Sequence, residues 1–97
     1  VLNETVAWIQ KDMSENGYML LMELGDTSLA AGDAAKAVEY YQKSLQIKAD
    51  NPEVIYKIGM AYVTAGDQET ATQYFTDIIM NYPNSDYVDD AKTQRGY

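Results

Sequence analysis

The sequence predicts an all-α protein, an alpha-alpha superhelix in which antiparallel helix pairs stack in a right-handed array. Residues 18–51 align without a gap with residues 52–85, and a period of about 34 residues is typical of helical solenoids. Apolar residues recur in both units at the spacing of one helix face. Each unit also carries Ala-Gly-Asp, at 31–33 and 65–67, which suits a tight turn between two helices. The predicted helices span about 3–15, 18–31, 34–48, 52–65, 68–81 and 86–95.

The first segment, residues 1–17, does not continue the repeat. Its apolar residues Leu2, Val6, Ile9 and Met13 follow helical spacing and predict an amphipathic helix. We expect this helix to cover the apolar face of the first unit, in place of the second helix of an earlier repeat. The alternative is a regulatory helix that occupies a binding groove.

Two repeat units follow, at 18–51 and 52–85, and both place glycine where a helix is predicted. Gly25 and Gly59 each cost about 1 kcal/mol relative to alanine inside a helix, so we expect a neighbouring helix to approach closely there. The remaining identical pairs lie at the turn and in the second helix: Ala31/Ala65, Gly32/Gly66, Asp33/Asp67, Ala37/Ala71 and Tyr40/Tyr74. The turn glycines should adopt the left-handed conformation, and the aspartates should cap the second helices.

The second unit and the last segment each begin with a helix-start signal. Pro52 suits the first turn of a helix, and Asn51 or Asp50 is expected to cap it. Residues 86–97 predict a polar helix that ends the stack in water, because acidic residues at its start and basic residues near its end both match the helix dipole. These residues are Asp86, Asp89, Asp90, Lys92 and Arg95.

Composition excludes several functions. The net charge is −8 and the 7 Lys and Arg residues are scattered, which is unlike the clustered basic surface of nucleic-acid-binding proteins. The chain has no Cys and no His, so Cys/His zinc sites, thiol catalysis and histidine-activated serines are absent. Asp86, Asp89 and Asp90 lack the glycine and the later glutamate of a calcium loop. No apolar run reaches the ~20 residues that span a bilayer. We therefore expect no catalysis, cofactor, metal, nucleic acid or membrane insertion.

Several residues together resemble the tetratricopeptide repeat (TPR) family. The first unit supplies Leu24-Gly25, Gly32-Asp33, Ala37 and Tyr41, and the second supplies Ile58-Gly59, Tyr62, Gly66-Asp67, Ala71, Phe75 and Pro83. The departures are Leu21 and Ile55 where the family often has Trp, Ser28 in place of an aromatic residue, and Ala49 in place of proline. The resemblance implies a non-catalytic protein–protein interaction scaffold.

By the same resemblance, the first helix of each unit lines a concave groove. The implied partner-binding residues are Met19, Met22, Glu23, Asp26, Tyr56, Lys57, Met60 and Val63. Some relatives use Lys, Asn and Arg here to hold a carboxylate, but this chain has Met22, Asp26, Tyr56 and Met60 at those places. A wall of Met and Tyr favours an apolar helix or an extended peptide. We expect Met22, Tyr56 and Met60 to contribute more to binding than to folding; the alternative is that the N-terminal helix or another repeat covers the groove.

Two further alternatives concern assembly and location. The chain could instead be a structural oligomerisation module that packs against copies of itself or against further repeats. Residues 81–87 with 89–91 resemble unit junctions in bacterial cell-envelope repeat proteins, which favours the periplasm or envelope and leaves the cytoplasm open. The partner is expected to be a protein or peptide in either case.

Overall fold

A computed structural model describes residues 17–95, which fold into successive α-helices with no strand among them. The helices are α1 (17–30), α2 (Ala34–Ile47), α3 (Pro52–Thr64), α4 (Gln68–Asn81) and α5 (Val88–Arg95). The all-α repeat fold predicted from the sequence is confirmed, with boundaries within two residues. The predicted helix at 3–15 lies outside the described residues.

Each helix packs against the next along the chain, with contacts between α2 and α3, α3 and α4, and α4 and α5. Two apolar clusters form the core. The first joins α2 to α3 through Ala37, Val38, Tyr41, Val54, Ile58 and Ala61. The second joins α3, α4 and α5 through Ile55, Ala71, Phe75, Ile78 and Ala91. Since α3 contributes to both clusters, it connects the two units.

Both helical glycines lie against an aromatic ring of the same unit. A Cβ atom built on Gly25 would come closer than 3.0 Å to the ring of Tyr41, and one built on Gly59 would do the same with the ring of Phe75. Real Cβ atoms essentially never come this close, so any larger residue would push the two helices apart. The close approach expected from the sequence is confirmed in both units.

The turns between paired helices are the same in both units. Gly32 and Gly66 both have φ of +86°, the left-handed region that favours glycine. The backbone N–H of Asp33 donates to the carbonyl of Ser28 at 2.9 Å, and that of Asp67 donates to Tyr62 at 2.9 Å. Each aspartate also caps the next helix.

The capping bonds have equal length. Asp33 Oδ1 accepts from the N–H of Lys36 at 3.1 Å, and Asp67 Oδ1 accepts from the N–H of Thr70 at 3.1 Å. Both caps were predicted. In the second unit the hydroxyl of Thr70 adds a bond to Asp67 Oδ2 at 2.7 Å. The cap hydrogen bonds hold the pKa of Asp67 below its usual value.

The side-chain capping bond predicted at the start of α3 is wrong. Asn51 occupies the N-cap position, but its side chain makes no capping hydrogen bond and is buried. Pro52 at the first helical position has no N–H to satisfy, and its fixed φ suits the first turn of the helix, as predicted. The last helix also starts later than predicted, at Val88, because a turn held by the Ser85 N–H to Tyr82 carbonyl bond (3.0 Å) precedes it.

Candidate partner-binding groove

The repeat spacing places equivalent positions of α1, α3 and residues 87–95, which comprise α5 and the residue before it, in two rows along one side of the stack. Because the repeat spacing carries residue 19 to 53 and 87, the first row contains Met19, Glu53 and Tyr87. The second row contains Met22, Tyr56 and Asp90. Side-chain contacts join α1 to α3 and α3 to the start of α5. We call this surface, with Asp26 and Lys57, the inner face.

An ion pair joins the first two helices of the inner face. Lys57 Nζ of α3 lies 2.7 Å from Asp26 Oδ2 of α1, and both side chains are partly exposed. The buried hydroxyl of Tyr41 donates to the other carboxylate oxygen of Asp26 at 2.5 Å. Burial raises the pKa of Tyr41 far above its usual value of 10.0, and the hydrogen bond and negative charge of Asp26 raise it further. One carboxylate therefore links α1, α2 and α3.

Aromatic rings join α3 to the start of α5. The ring centroid of Tyr56 lies 5.7 Å from that of Phe75 and 5.3 Å from that of Tyr87, in tilted geometry. The Tyr87 hydroxyl donates to Glu53 Oε2 at 3.1 Å. Burial, followed by that bond, raises the pKa of Tyr87, while burial and the negative charge of Asp90 raise the pKa of Tyr56. This end of the inner face therefore combines aromatic rings with carboxylates.

Apolar residues predicted to bind a partner also contact the core. Met22 packs against the first apolar cluster, whereas Tyr56, Met60 and Val63 pack against the second. Met19 is 50% exposed, and Glu23 is exposed as well. The structure thus brings Asp26 together with Lys57, and gives Met22, Tyr56, Met60 and Val63 one side on the core and one side toward solvent.

Sequence reasoning omitted three residues of the inner face: Glu53, Tyr87 and Asp90. The available signal was the repeat itself, because adding the repeat spacing to Met19 and Met22 leads directly to them. The polar composition of residues 86–97 predicts a cap, and a cap gives no reason to extend the two rows beyond α3. The bond between the Tyr41 hydroxyl and Asp26 was also missed, since it joins residues that the repeat pattern does not pair.

No group of three or more Asp or Glu side chains within residues 17–95 is arranged to hold a metal ion. None of the helices in the same range has the length and apolar character needed to cross a membrane.

Comparison with known proteins identifies the repeat. The family profile described as tetratricopeptide repeat matches residues 28–94, about two thirds of the chain. The chain belongs to the tetratricopeptide repeat family. It is also similar to a TPR repeat-containing protein of Methanocaldococcus jannaschii, with 24% identity over 80 residues. That match covers 81% of this chain but only 14% of the relative, so the chain corresponds to a small part of that protein. TPR domains serve as protein–protein interaction scaffolds and are generally non-catalytic.

Proposed function

We propose that this chain holds a polypeptide segment along its inner face, as a non-catalytic scaffold. One observation carries the proposal: partly exposed Met and Tyr side chains occupy equivalent positions from α1 through α3 to the residues at 87–90, and the rings of Tyr56 and Tyr87 are in contact. Methionine adapts to irregular surfaces, and tyrosine is enriched at binding hot spots. The inner face therefore offers an apolar and aromatic surface that a helix or an extended peptide could cover.

The ion pair on this face bears on which part of a polypeptide binds. Lys57 is the basic residue of the inner face, and the Asp26 carboxylate already lies 2.7 Å from it. A terminal carboxylate would have to displace Asp26, which Tyr41 also holds. We therefore propose recognition of internal side chains instead of a free C-terminus. The resemblance of residues 81–87 with 89–91 to unit junctions of bacterial cell-envelope repeat proteins favours the periplasm or envelope as the location of the chain, with the cytoplasm as the alternative.

The proposed binding can be tested by photo-crosslinking in cells. A photo-reactive amino acid replaces Met19 on the inner face or Met80, which is 71% exposed on α4 and serves as the control position. We expect a polypeptide adduct at position 19 and none at position 80. Adding Tyr56→Ser should abolish the adduct while the circular dichroism spectrum of the chain remains helical. Equal adducts at both positions would contradict the proposal.

Self-association is a second candidate, favoured by the exposed apolar edge of α1. Leu20 and Leu24 are 47% and 39% exposed, whereas the equivalent residues of α3, Val54 and Ile58, are fully buried beneath α2. A second copy or a preceding repeat could cover this edge. Sedimentation at several concentrations tests this, and a monomer at every concentration would exclude self-association of this chain.

A further inference from the structure

The inner face changes chemical character along its length. At α1 the two rows contain Met19 and Met22, which carry no charge. Outside the rows, Asp26 of the same helix is paired with Lys57, and Glu23 is exposed. At α3 and α5 the same two rows present Glu53 with Tyr87, and Tyr56 with Asp90. A bound segment that crosses all three helices therefore meets thioethers at one end and rings with carboxylates at the other.

The end of the inner face that contains Tyr56 and Tyr87 also contains two acidic residues, Glu53 and Asp90. The rings of Tyr56 and Tyr87 lie 5.3 Å apart, and Phe75 supports Tyr56 from the core at 5.7 Å. The Tyr87 hydroxyl fixes the Glu53 carboxylate beside the ring pair at 3.1 Å. A cation that lies over a tyrosine ring is attracted by the ring quadrupole, and nearby carboxylates add a Coulombic attraction.

The basic residue of the inner face does not offset this charge. Lys57 is already paired with Asp26 at 2.7 Å, on the α1 side of α3. Glu53 of α3 accepts a hydrogen bond from Tyr87, and Asp90 lies on α5. Both carboxylates are therefore at the α5 end of the inner face. The whole chain also carries a net charge of −8, which steers cationic partners toward it.

We infer that the Tyr56–Tyr87 pair, with Glu53 and Asp90, receives an arginine or lysine side chain of the bound polypeptide, while Met19 and Met22 receive an apolar side chain. This inference rests on the proposed function, because it assigns the chemistry of the segment that the inner face holds. The partner is therefore a segment with both an apolar and a cationic residue.

The separation between the apolar and the cationic residue of the bound segment follows from the distance between neighbouring helices. Packed helices lie roughly 8–10 Å apart, so the ring pair between α3 and α5 is about 15 Å from the methionines of α1. An extended chain advances about 3.3 Å per residue, which places the cation four to five residues from the apolar anchor. A helical segment would need roughly ten residues for the same distance.

The test uses capped synthetic peptides and the full chain. One peptide carries Leu-Leu and, five residues away, Arg, with Ser and Gly elsewhere. The matched peptides carry citrulline or Glu in place of Arg. Titrations are followed by NMR of the Tyr ring protons and by calorimetry at two salt concentrations. We expect the Arg peptide to bind roughly fivefold more tightly than the citrulline peptide, with an advantage that shrinks at high salt, and the Glu peptide to bind most weakly.

Variants separate this site from general acidity. Glu53→Gln with Asp90→Asn should reduce the preference for Arg to less than about twofold. Asp89→Asn, which removes a neighbouring exposed charge outside the two rows, should leave the preference unchanged. Tyr87→Phe keeps the ring but removes the bond to Glu53, and should give an intermediate preference. A circular dichroism melt of each variant checks that it remains folded.

The outcomes separate the two proposals. Equal affinity for the Arg, citrulline and Glu peptides, with inner-face ring shifts, would overturn the cationic site and leave the scaffold proposal standing. An Arg preference that survives in the double variant would also overturn it. If no peptide shifts the inner-face resonances at millimolar concentration, the scaffold proposal fails, and this inference fails with it.

Discussion

In the first repeat unit, two hydroxyl groups lie where the second unit has only carbon. Tyr41 corresponds to Phe75 and Ser44 to Ile78, and all four are fully buried. The Tyr41 hydroxyl donates to Asp26 at 2.5 Å, and Ser44 Oγ donates to the carbonyl of Tyr18 at 2.7 Å. The two units nevertheless share the turn geometry, with φ of +86° at Gly32 and Gly66, and each has a helical glycine against a ring. A buried polar group is tolerated where a partner is within reach.

The units also differ at their leading edge. Leu20 and Leu24 of α1 are partly exposed, whereas their equivalents on α3, Val54 and Ile58, are fully buried against α2. The first helix of a unit therefore obtains its apolar cover from the unit before it. Within residues 17–95, no helix precedes α1 to cover the equivalent edge of the first unit.

The largest expected loss of stability comes from truncating the apolar residues at this edge of α1 and at its equivalent on α3. Ile58→Ala should destabilise the full chain by about 2–5 kcal/mol, because the site is fully buried. Leu24→Ala should cost less, and its cost should fall when residues 1–16 are removed, since those residues are predicted to cover the apolar face of the first unit. Thermal and urea melts measure both. Identical costs for Leu24→Ala with and without residues 1–16 would show that the N-terminal segment lies elsewhere.

The next test introduces a larger side chain at the glycine–ring contact of each unit. Gly59→Leu and Gly25→Leu should each destabilise by about 1–3 kcal/mol, because any Cβ overlaps the facing ring. Ala71→Leu, at a fully buried position of α4, should have a similar effect. Phe75→Leu should partly relieve Gly59→Ala, as it frees space at the contact. An unchanged melt for either glycine variant would contradict the close approach.

The hydroxyl of Tyr41 gives a smaller effect. Asp26→Ala should destabilise by about 1 kcal/mol, because it leaves the Tyr41 hydroxyl without its acceptor and Lys57 without its carboxylate. Tyr41→Phe, which copies the second unit, should cost about the same. The double variant should cost less than the sum of the two single variants, as expected for contacting residues. Additive costs would show that the bond contributes nothing to stability.

Tyr41 also predicts a difference in stability at high pH between the unmodified chain and Tyr41→Phe. The pKa of Tyr41 is raised in the folded chain above its ordinary value of 10.0. Its contribution to stability is therefore fully present below pH 10 and is lost as the pH rises further. Stability should thus fall less steeply above pH 10 in Tyr41→Phe than in the unmodified chain, measured by urea melts from pH 9 to 11. Parallel curves would contradict the raised pKa.

The smallest effect concerns the helix caps. Asp67 accepts from both the N–H and the hydroxyl of Thr70, whereas Asp33 accepts from one N–H. Asp67→Ala should therefore lower the melting temperature more than Asp33→Ala. The lowered pKa of Asp67 means that its contribution is present near neutral pH and is lost in acid, as the pH falls through that pKa. The two variants should consequently converge at low pH.

The sequence predicted those features that depend on neighbours along the chain. Helical spacing, the Ala-Gly-Asp turns and the glycines opposite rings located the helices within two residues. The TPR resemblance also pointed to Asp26 and Lys57 as residues of one surface. The side-chain bonds within that surface were beyond sequence reasoning, because Asp26 meets Tyr41 and Lys57 at separations of 15 and 31 residues that depend on how helices stack. Asn51 is buried and makes no capping bond, and its burial depends on helix packing that the local sequence does not reveal.

The bridge between Asp26 and Lys57 has a consequence for how such an array can evolve. Each glycine–ring contact closes within one unit, so a duplicated or exchanged unit would still fold. The bridge, in contrast, crosses from one unit to the next. Deleting residues 52–85 would put Ala91 in the place of Lys57, and exchanging the two units would put Met60 beside Glu23. Recombination between the repeats would therefore preserve the helical architecture but remove the ion pair between Asp26 and Lys57. The fold tolerates a change in the order of the units, whereas the charge pattern of the inner face depends on that order.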